Sequence, residues 1–235
     1  MKRTRWKDHW DHFSRQFAET DFMRQVGKTV NRQPINDAQL GDIVESIVTA
    51  LHIGKSDRVI DLCCGNGLIT SRVAAICSEV VGVDYSAHLL SIANKYHRPD
   101  NVSYVLSSVL NVTPAIPPQK GQYTKVYMYE ALQHFDDKEF REVLKKMARL
   151  DEGFQIFLGS IPDKSRLFDF YNTEARRAEY EYRTSKGNEA IGTWWNRADV
   201  QRIAEQCGYT CVTLPQNRKL YTAHYRFDAL LKYSK

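Results

Sequence analysis

No stretch of this 235-residue chain holds the roughly 18 consecutive apolar residues needed to cross a bilayer. The basic start, Met1-Lys2-Arg3-Thr4-Arg5-Trp6, is not followed by the apolar core of a secretion signal. A cytoplasmic protein with no integral membrane segment is the expectation. Cysteine is sparse: Cys63, Cys64, Cys77, Cys207 and Cys211 make an odd count, two of them adjacent in a turn, which excludes a disulfide framework. No Cys-x-x-Cys and no suitably spaced histidine are there to hold a metal. Repeats and low-complexity segments are lacking, and Pro114, Pro117 and Pro118 mark a surface loop. The overall composition is not that of a nucleic-acid-binding protein, so nucleic acid is disfavoured as a partner.

What remains is an ordinary globular composition, 43% apolar and 26% charged. The net charge of +5 is unevenly spread. Residues 1–35 carry eight Lys/Arg against four Asp/Glu, and residues 215–235 carry five against one. Basic ends that meet beside a pocket would favour an anionic substrate.

The apolar periodicity divides the chain. Trp6, Trp10, Phe13 and Phe17 fall on one helical face, and a second helix, capped by Asn36 or Asp37, runs to about His52 with Leu40, Ile43, Val44, Ile47, Val48 and Leu51 inward. Residues 1–53 are therefore expected to form a helical cap, packed on the core or closing over a ligand. From residue 54 onward, strands near 57–62, 79–84, 102–107, 123–129 and 154–160 alternate with helices near 68–77, 86–97 and 137–150. A further helix near 197–207 precedes strands near 209–214 and 221–231. Strands separated by helical stretches predict an α/β fold with a mostly parallel sheet of seven strands and helices on both faces. The linker Pro215 to Leu220 is too short for a crossover helix, so the last two strands should form an antiparallel hairpin. Residues 161–196 interrupt the alternation with aromatics and arginines whose charges almost cancel, and are read as a lid over the acceptor.

The chemistry concentrates at Asp61-Leu62-Cys63-Cys64-Gly65-Asn66-Gly67, which joins a β-branched strand to a helix. Two glycines there suit a backbone that passes close to a ligand. Seventeen positions on, the strand Val80-Val81-Gly82-Val83 ends on Asp84, a carboxylate placed to grip a ribose diol. A nicotinamide-type turn would need a third glycine where Thr70 stands. Asp61 is also poorly placed beside a pyrophosphate and well placed beside a cationic amino acid end.

This set of motifs resembles the class I S-adenosylmethionine (SAM)-dependent methyltransferases, over roughly residues 55–232. Further points of likeness are Tyr123 to Phe135, which ends near a histidine, and Phe140 to Gly153, which leads into the fifth strand. The resemblance implies that Asp61, Cys63, Gly65, Asn66 and Gly67 hold the methionine end of SAM, with Glu130 near it. It further implies that Asp84 takes the ribose hydroxyls and that Tyr85 lies on the adenine. Ser108 stands where the family often has an aspartate for the adenine amino group, leaving that contact to its hydroxyl and the Val109 backbone. Cys63 replaces a glycine frequent in the turn.

Ligands of such sheets bind beyond the carboxyl ends of the strands, so acceptor chemistry should follow strands four to six. His134, Glu130 and His224 are the candidate bases. Arg176, Arg177, Tyr180, Trp194, Trp195, Arg218 and Tyr221 are the candidate acceptor contacts, arginine beside tyrosine suiting a sugar, phosphate or carboxylate. Each has a blander reading, His134 as a helix cap or pocket wall and the two tryptophans as anchors of the insert. The expected activity is methyl transfer from SAM to an oxygen of a small polar, anionic acceptor. Gln25 to Asn31 and Tyr225 to Asp228 resemble segments of methyltransferases of surface-polysaccharide assembly, which favours a sugar or glycan. The alternatives are methylation of a tRNA base or other small metabolite, and a non-catalytic SAM-binding partner subunit.

Overall fold

The computed structural model describes residues 2–111, 123–149 and 153–233; the proline loop at 114–118 lies outside them. Two short helices come first, α1 (Lys2–Ser14) and α2 (Phe22–Gln25), then a two-stranded antiparallel ribbon of β1 (Thr29–Val30) and β2 (Gln33–Pro34), then α3 (Asp37–Leu51). The main sheet is built from β3 (Arg58–Leu62), β4 (Glu79–Asp84), β5 (Val102–Leu106), β6 (Lys125–Tyr129), β7 (Gln155–Pro162), β8 (Tyr209–Pro215) and β9 (Arg226–Tyr233). Between them lie α4 (Thr70–Ala74), α5 (Ala87–Tyr96), α6 (Asp137–Met147), α7 (Leu167–Phe170), α8 (Glu174–Ser185) and α9 (Arg197–Gln206).

The seven strands run in the order β5-β4-β3-β6-β7-β9-β8. All pairings are parallel except those of β9, which is antiparallel to both β7 and β8. Strand alternation sends side chains to opposite faces. Ile60, Leu62, Val126, Met128, Ile156 and Leu158 pack with Phe140, Leu144, Val200 and Ile203 of α6 and α9. Their neighbours Val59, Tyr127 and Phe157 pack with Leu40, Ile43, Ile47 and Leu51 of α3. Each face thus has its own core, and the expected α/β sandwich with a terminal antiparallel pair is what forms.

The helices begin where local capping allows. Asn36 accepts a hydrogen bond from the Gln39 amide, Ser86 from Leu89, and Asp136 with Glu139 forms a reciprocal capping box. Several boundaries differ from the sequence reading. The last strand starts at Arg226 and not near 221, because the Thr222 carbonyl accepts from the Tyr225 and Arg226 amides and closes a turn there. The helix after the Gly65 turn is only Thr70–Ala74. α1 ends at Ser14, so Phe17 lies beyond it. The ribbon around Pro34 and the helices inside the insert carry no clear period and were not anticipated.

Candidate functional site

A cleft opens at the carboxyl ends of β3, β4 and β6. Its floor is the turn Cys63 to Asn66, one side is Asp84 and Tyr85, and the other is Tyr129, Glu130 and His134. A second hollow adjoins it past Cys63, Tyr85, His134 and Phe135, and is lined by Ser107, Ser108 and Val109 after β5. The two share those four walls, which makes one elongated groove.

Local geometry explains the turn. Cys63 sits at φ 63°, a left-handed conformation that costs a non-glycine residue about 1 kcal/mol or more, which accounts for glycine being frequent there. Gly65 lines the cleft and donates its amide to Asp84 Oδ2 (2.9 Å), while the Ser86 amide donates to Asp84 Oδ1 (2.8 Å). Burial raises the Asp84 carboxyl above its ordinary range, and those amides pull it partly back. Gly67 does not face the cleft; a Cβ there would meet the Tyr104 hydroxyl at 2.2 Å, so this glycine is required by packing. Asp61 likewise lies beneath the floor, accepting from Thr70 Oγ1 (2.6 Å) and the Tyr127 hydroxyl (2.7 Å). Burial, together with Asp84, pushes its carboxyl up to about 7 despite those two donors.

The wall after β6 is built differently. Lys28, 4% exposed, reaches in from before the β1–β2 ribbon and ion-pairs with Glu130 after β6. Glu130 Oε1 also accepts from the Tyr221 hydroxyl (3.2 Å) and Ser160 Oγ (3.3 Å). Burial raises the Glu130 carboxyl, but Lys28 and Arg226 outweigh it and hold the group below the ordinary carboxylate range. Glu130 and Ser160 both have positive φ, 54° and 62°. Strained backbone of this kind collects at functional sites. At Ser160 the strain accompanies a shift of register between β7 and β9, and its amide is satisfied by Asp228 Oδ1 (2.7 Å). Arg226 donates to the Ser160 carbonyl (2.5 Å) and, more loosely, to Gln133 Oε1 (3.4 Å). The Tyr129 hydroxyl is buried beside Ser160 with no acceptor for its own proton, and Arg226 Nε is buried without a hydrogen-bond partner, among the described residues.

α1 lies across the groove. The Trp10 indole donates to His134 Nε2 (3.2 Å), the Trp6 ring packs on His134 at 4.3 Å, and the Tyr85 hydroxyl donates to the Trp6 carbonyl (3.0 Å). Asp11 accepts from Ser86 Oγ.

The other expected site residues are dispersed. His224 is exposed and packs on Tyr225 away from the groove walls. Trp195 is buried, its indole on the Leu132 carbonyl (3.2 Å), so it anchors the insert. Trp194 packs with Phe170 and Tyr225. Arg176 lies over the Phe170 ring, Arg177 donates to the Tyr171 carbonyl, and Tyr180 stacks on Tyr171. Arg218 is exposed. Of that group only Tyr221 reaches Glu130. Sequence reasoning missed Lys28, Tyr129, Ser160 and Arg226 as site residues. Lys28 and Arg226 lie inside segments noted for resemblance, but nothing local shows that they converge.

Whether SAM suits this groove can be tested on its charges and shape. Three carboxylates, Asp61, Asp84 and Glu130, stand at or beneath the walls of the first cleft, with Lys28 as the one cation on its wall among the described residues. A cationic sulfonium with an ammonium end offsets that excess, and the hollow at Ser108 and Val109 lies beyond Asp84 where a base would follow a ribose. The residues fit. Residues 59–151 match the family model described as a methyltransferase domain. The ubiquinone biosynthesis O-methyltransferase of Bordetella pertussis is 26% identical over 74% of this chain and 69% of that protein. Its counterpart in Xanthomonas oryzae is 24% identical over 61% of this chain, which spans only 62% of that relative's length. Among solved structures, the magnesium protoporphyrin IX methyltransferase from Synechocystis PCC 6803 with bound SAH superposes with a TM-score of 0.67 over the whole of both chains, at 15% identity, a likeness of fold. Fold and groove define a nucleoside-binding α/β protein of the Rossmann-like kind. Within that class, the matched stretch, residues 59–151, is a methyltransferase domain. No described helix is long and apolar enough to cross a membrane.

Proposed function

We propose that this protein transfers the methyl group of SAM to an oxygen of a small polar, anionic acceptor, sugars and glycans included. The observation that carries the reading is the Lys28–Glu130–Tyr129 wall, which faces the Cys63–Asn66 turn and Asp84 across one cleft. Bound SAM supplies an electrophilic methyl; the chain's own residues orient, exclude water and set charge. Asp84 holds the ribose hydroxyls, Tyr85 and Ser108 border the adenine, and the backbone of Gly65 and Asn66 receives the amino acid end, with Asp61 as a counter-charge below. Displacement at a methyl carbon is in-line, so alignment of acceptor oxygen, methyl and sulfur is the main contribution to rate. α1 covers the aligned groups through Trp6 and Trp10 and keeps water out. Transfer to oxygen is supported by the O-methyltransferases among the relatives.

Titration of the full chain with SAM and S-adenosylhomocysteine (SAH) by calorimetry tests the reading. Both should bind at a single site, and absence of binding by either overturns it.

A further inference from the structure

Among the described residues, the groove contains no side chain available to remove a proton from the acceptor. His134 is the natural candidate, but its Nε2 faces the Trp10 indole at 3.2 Å. An indole N–H can only donate, so Nε2 is the acceptor and the ring's basic lone pair is committed. Glu130 is ion-paired with Lys28 and bonded by Tyr221 and Ser160, which leaves a weak base. Asp84 is held by two amides, and Asp61 is under the floor. In the second hollow Asp11 accepts from Ser86, and Glu139 from the Asp136 amide. His224 is off the groove.

The same walls offer donors. Lys28 Nζ lies over the Tyr129 ring at 4.8 Å beside Glu130, and the Tyr129 hydroxyl, buried with Ser160 beside it as a donor, has no acceptor for its own proton among the described residues. Arg226 stands behind them, 5% exposed. A buried donor without an acceptor is costly to keep, so its retention at a cleft wall points to a ligand that accepts. An oxygen that arrives already ionised needs these donors and no base.

We propose that the methyl-accepting group is a carboxylate, received at this wall by the Lys28 ammonium and the Tyr129 hydroxyl, and that the product is a methyl ester. The inference rests on the SAM-dependent reading above and narrows it. One carboxylate oxygen attacks the methyl carbon; the C–O bond forms as the S–CH3 bond breaks. The S–C electron pair stays on sulfur, the sulfonium becomes a neutral thioether, and the carboxylate's charge is lost. No proton moves. A carboxylic acid with a pKa near 4 is ionised at neutral pH without help. A single ammonium already shared with Glu130 suits a monoanion better than a phosphate dianion.

The test uses the full chain with methyl-tritiated SAM and the small-molecule fraction of a cell extract. Label in the product should be released as methanol by mild alkali, as esters release it; alkali-stable label, as in ethers and N-methyl groups, overturns the proposal. Binding gives a second arm that needs no turnover. In the presence of SAH, benzoate should bind, benzamide should not, and Tyr129→Phe should weaken benzoate at least about fivefold while leaving SAH unchanged. Equal binding of benzoate and benzamide, no benzoate binding, or tighter binding of methyl phosphate overturns it. SAH titrated alone separates the two levels: if SAH fails to bind, the proposed function falls, and if SAH binds while the acid arm fails, only the carboxylate falls. With an acceptor in hand, a pH indicator should register no proton per methyl transferred; one proton per turnover, as from a hydroxyl, overturns the assignment.

Discussion

The two halves of the groove satisfy their polar groups in opposite ways. At the ends of β3 and β4, the buried carboxylates are held by groups close in sequence or in the adjacent strand: Asp84 by the Gly65 and Ser86 amides, Asp61 by Thr70 and Tyr127. At the ends of β6 and β7, polar groups are held by side chains from far away, the Glu130 carboxylate by Lys28 and Tyr221, and the Ser160 backbone by Asp228 and Arg226. A site held by nearby groups and the adjacent strand is tolerant of its wider surroundings and specifies one ligand class. A site made of distant side chains can be rebuilt by single substitutions, and so can its specificity.

This contrast can be broken most strongly at Lys28. Lys28→Met leaves the Glu130 carboxylate buried without its cation and should cost about 3–5 kcal/mol of stability by urea denaturation. Adding Glu130→Gln should restore most of that loss, and an uncorrected double variant would mean that the pair does not act as a unit. On the donor side the corresponding change runs the other way. Because the Asp61 carboxyl is raised to about 7 in the folded state, the unfolded chain ionises first. Stability is therefore lost as pH rises from about 4 to 7 and is level above that. Asp61→Asn keeps both hydrogen bonds and abolishes this share of the loss, so at pH 8 the variant should be more stable by roughly 2–4 kcal/mol. Equal slopes of melting temperature against pH for the two proteins would place the charge elsewhere. Next in size, Asp84→Ala should weaken SAM binding by about 1.5–3 kcal/mol in calorimetry, as loss of hydrogen bonds to a charged group does; unchanged affinity would put the ribose in another place. The smallest effect is expected from Cys63→Gly, which relieves the left-handed backbone and should raise stability by about 0.5–1 kcal/mol in denaturant melts.

The same contrast governs what could be read before the structure. The strand-turn-helix unit at Asp61–Gly67, the carboxylate at Asp84 and the order of strands are written in short stretches, and the fold and the cofactor half follow from them. Even there a motif shows residue type and not orientation: Gly67 answers to Tyr104, and Asp61 points under the floor. The acceptor half was mostly hidden. Lys28 and Arg226 meet only because the strap before β1 and the start of β9 fold over β6 and β7, and positive φ at Glu130 and Ser160 leaves no trace in residue type. Conversely, the arginines and tyrosines of residues 161–196 looked like a lid, yet they pair largely with one another and with the insert's own backbone.

The place of β9 has a consequence for how the molecule comes into being. As the chain leaves the ribosome, β3 to β7 can each join an edge of the growing sheet in the order in which they emerge. β8 cannot, since its sole strand partner among the described residues is β9. Until residues 226–233 have been made, the outer edge of β7 stays open and β8 has nowhere to dock. An open edge of this kind invites pairing with other chains. The nascent protein thus passes through a stage at which the strands that frame the donor site are paired, the acceptor wall still lacks Arg226, and the chain is most exposed to aggregation.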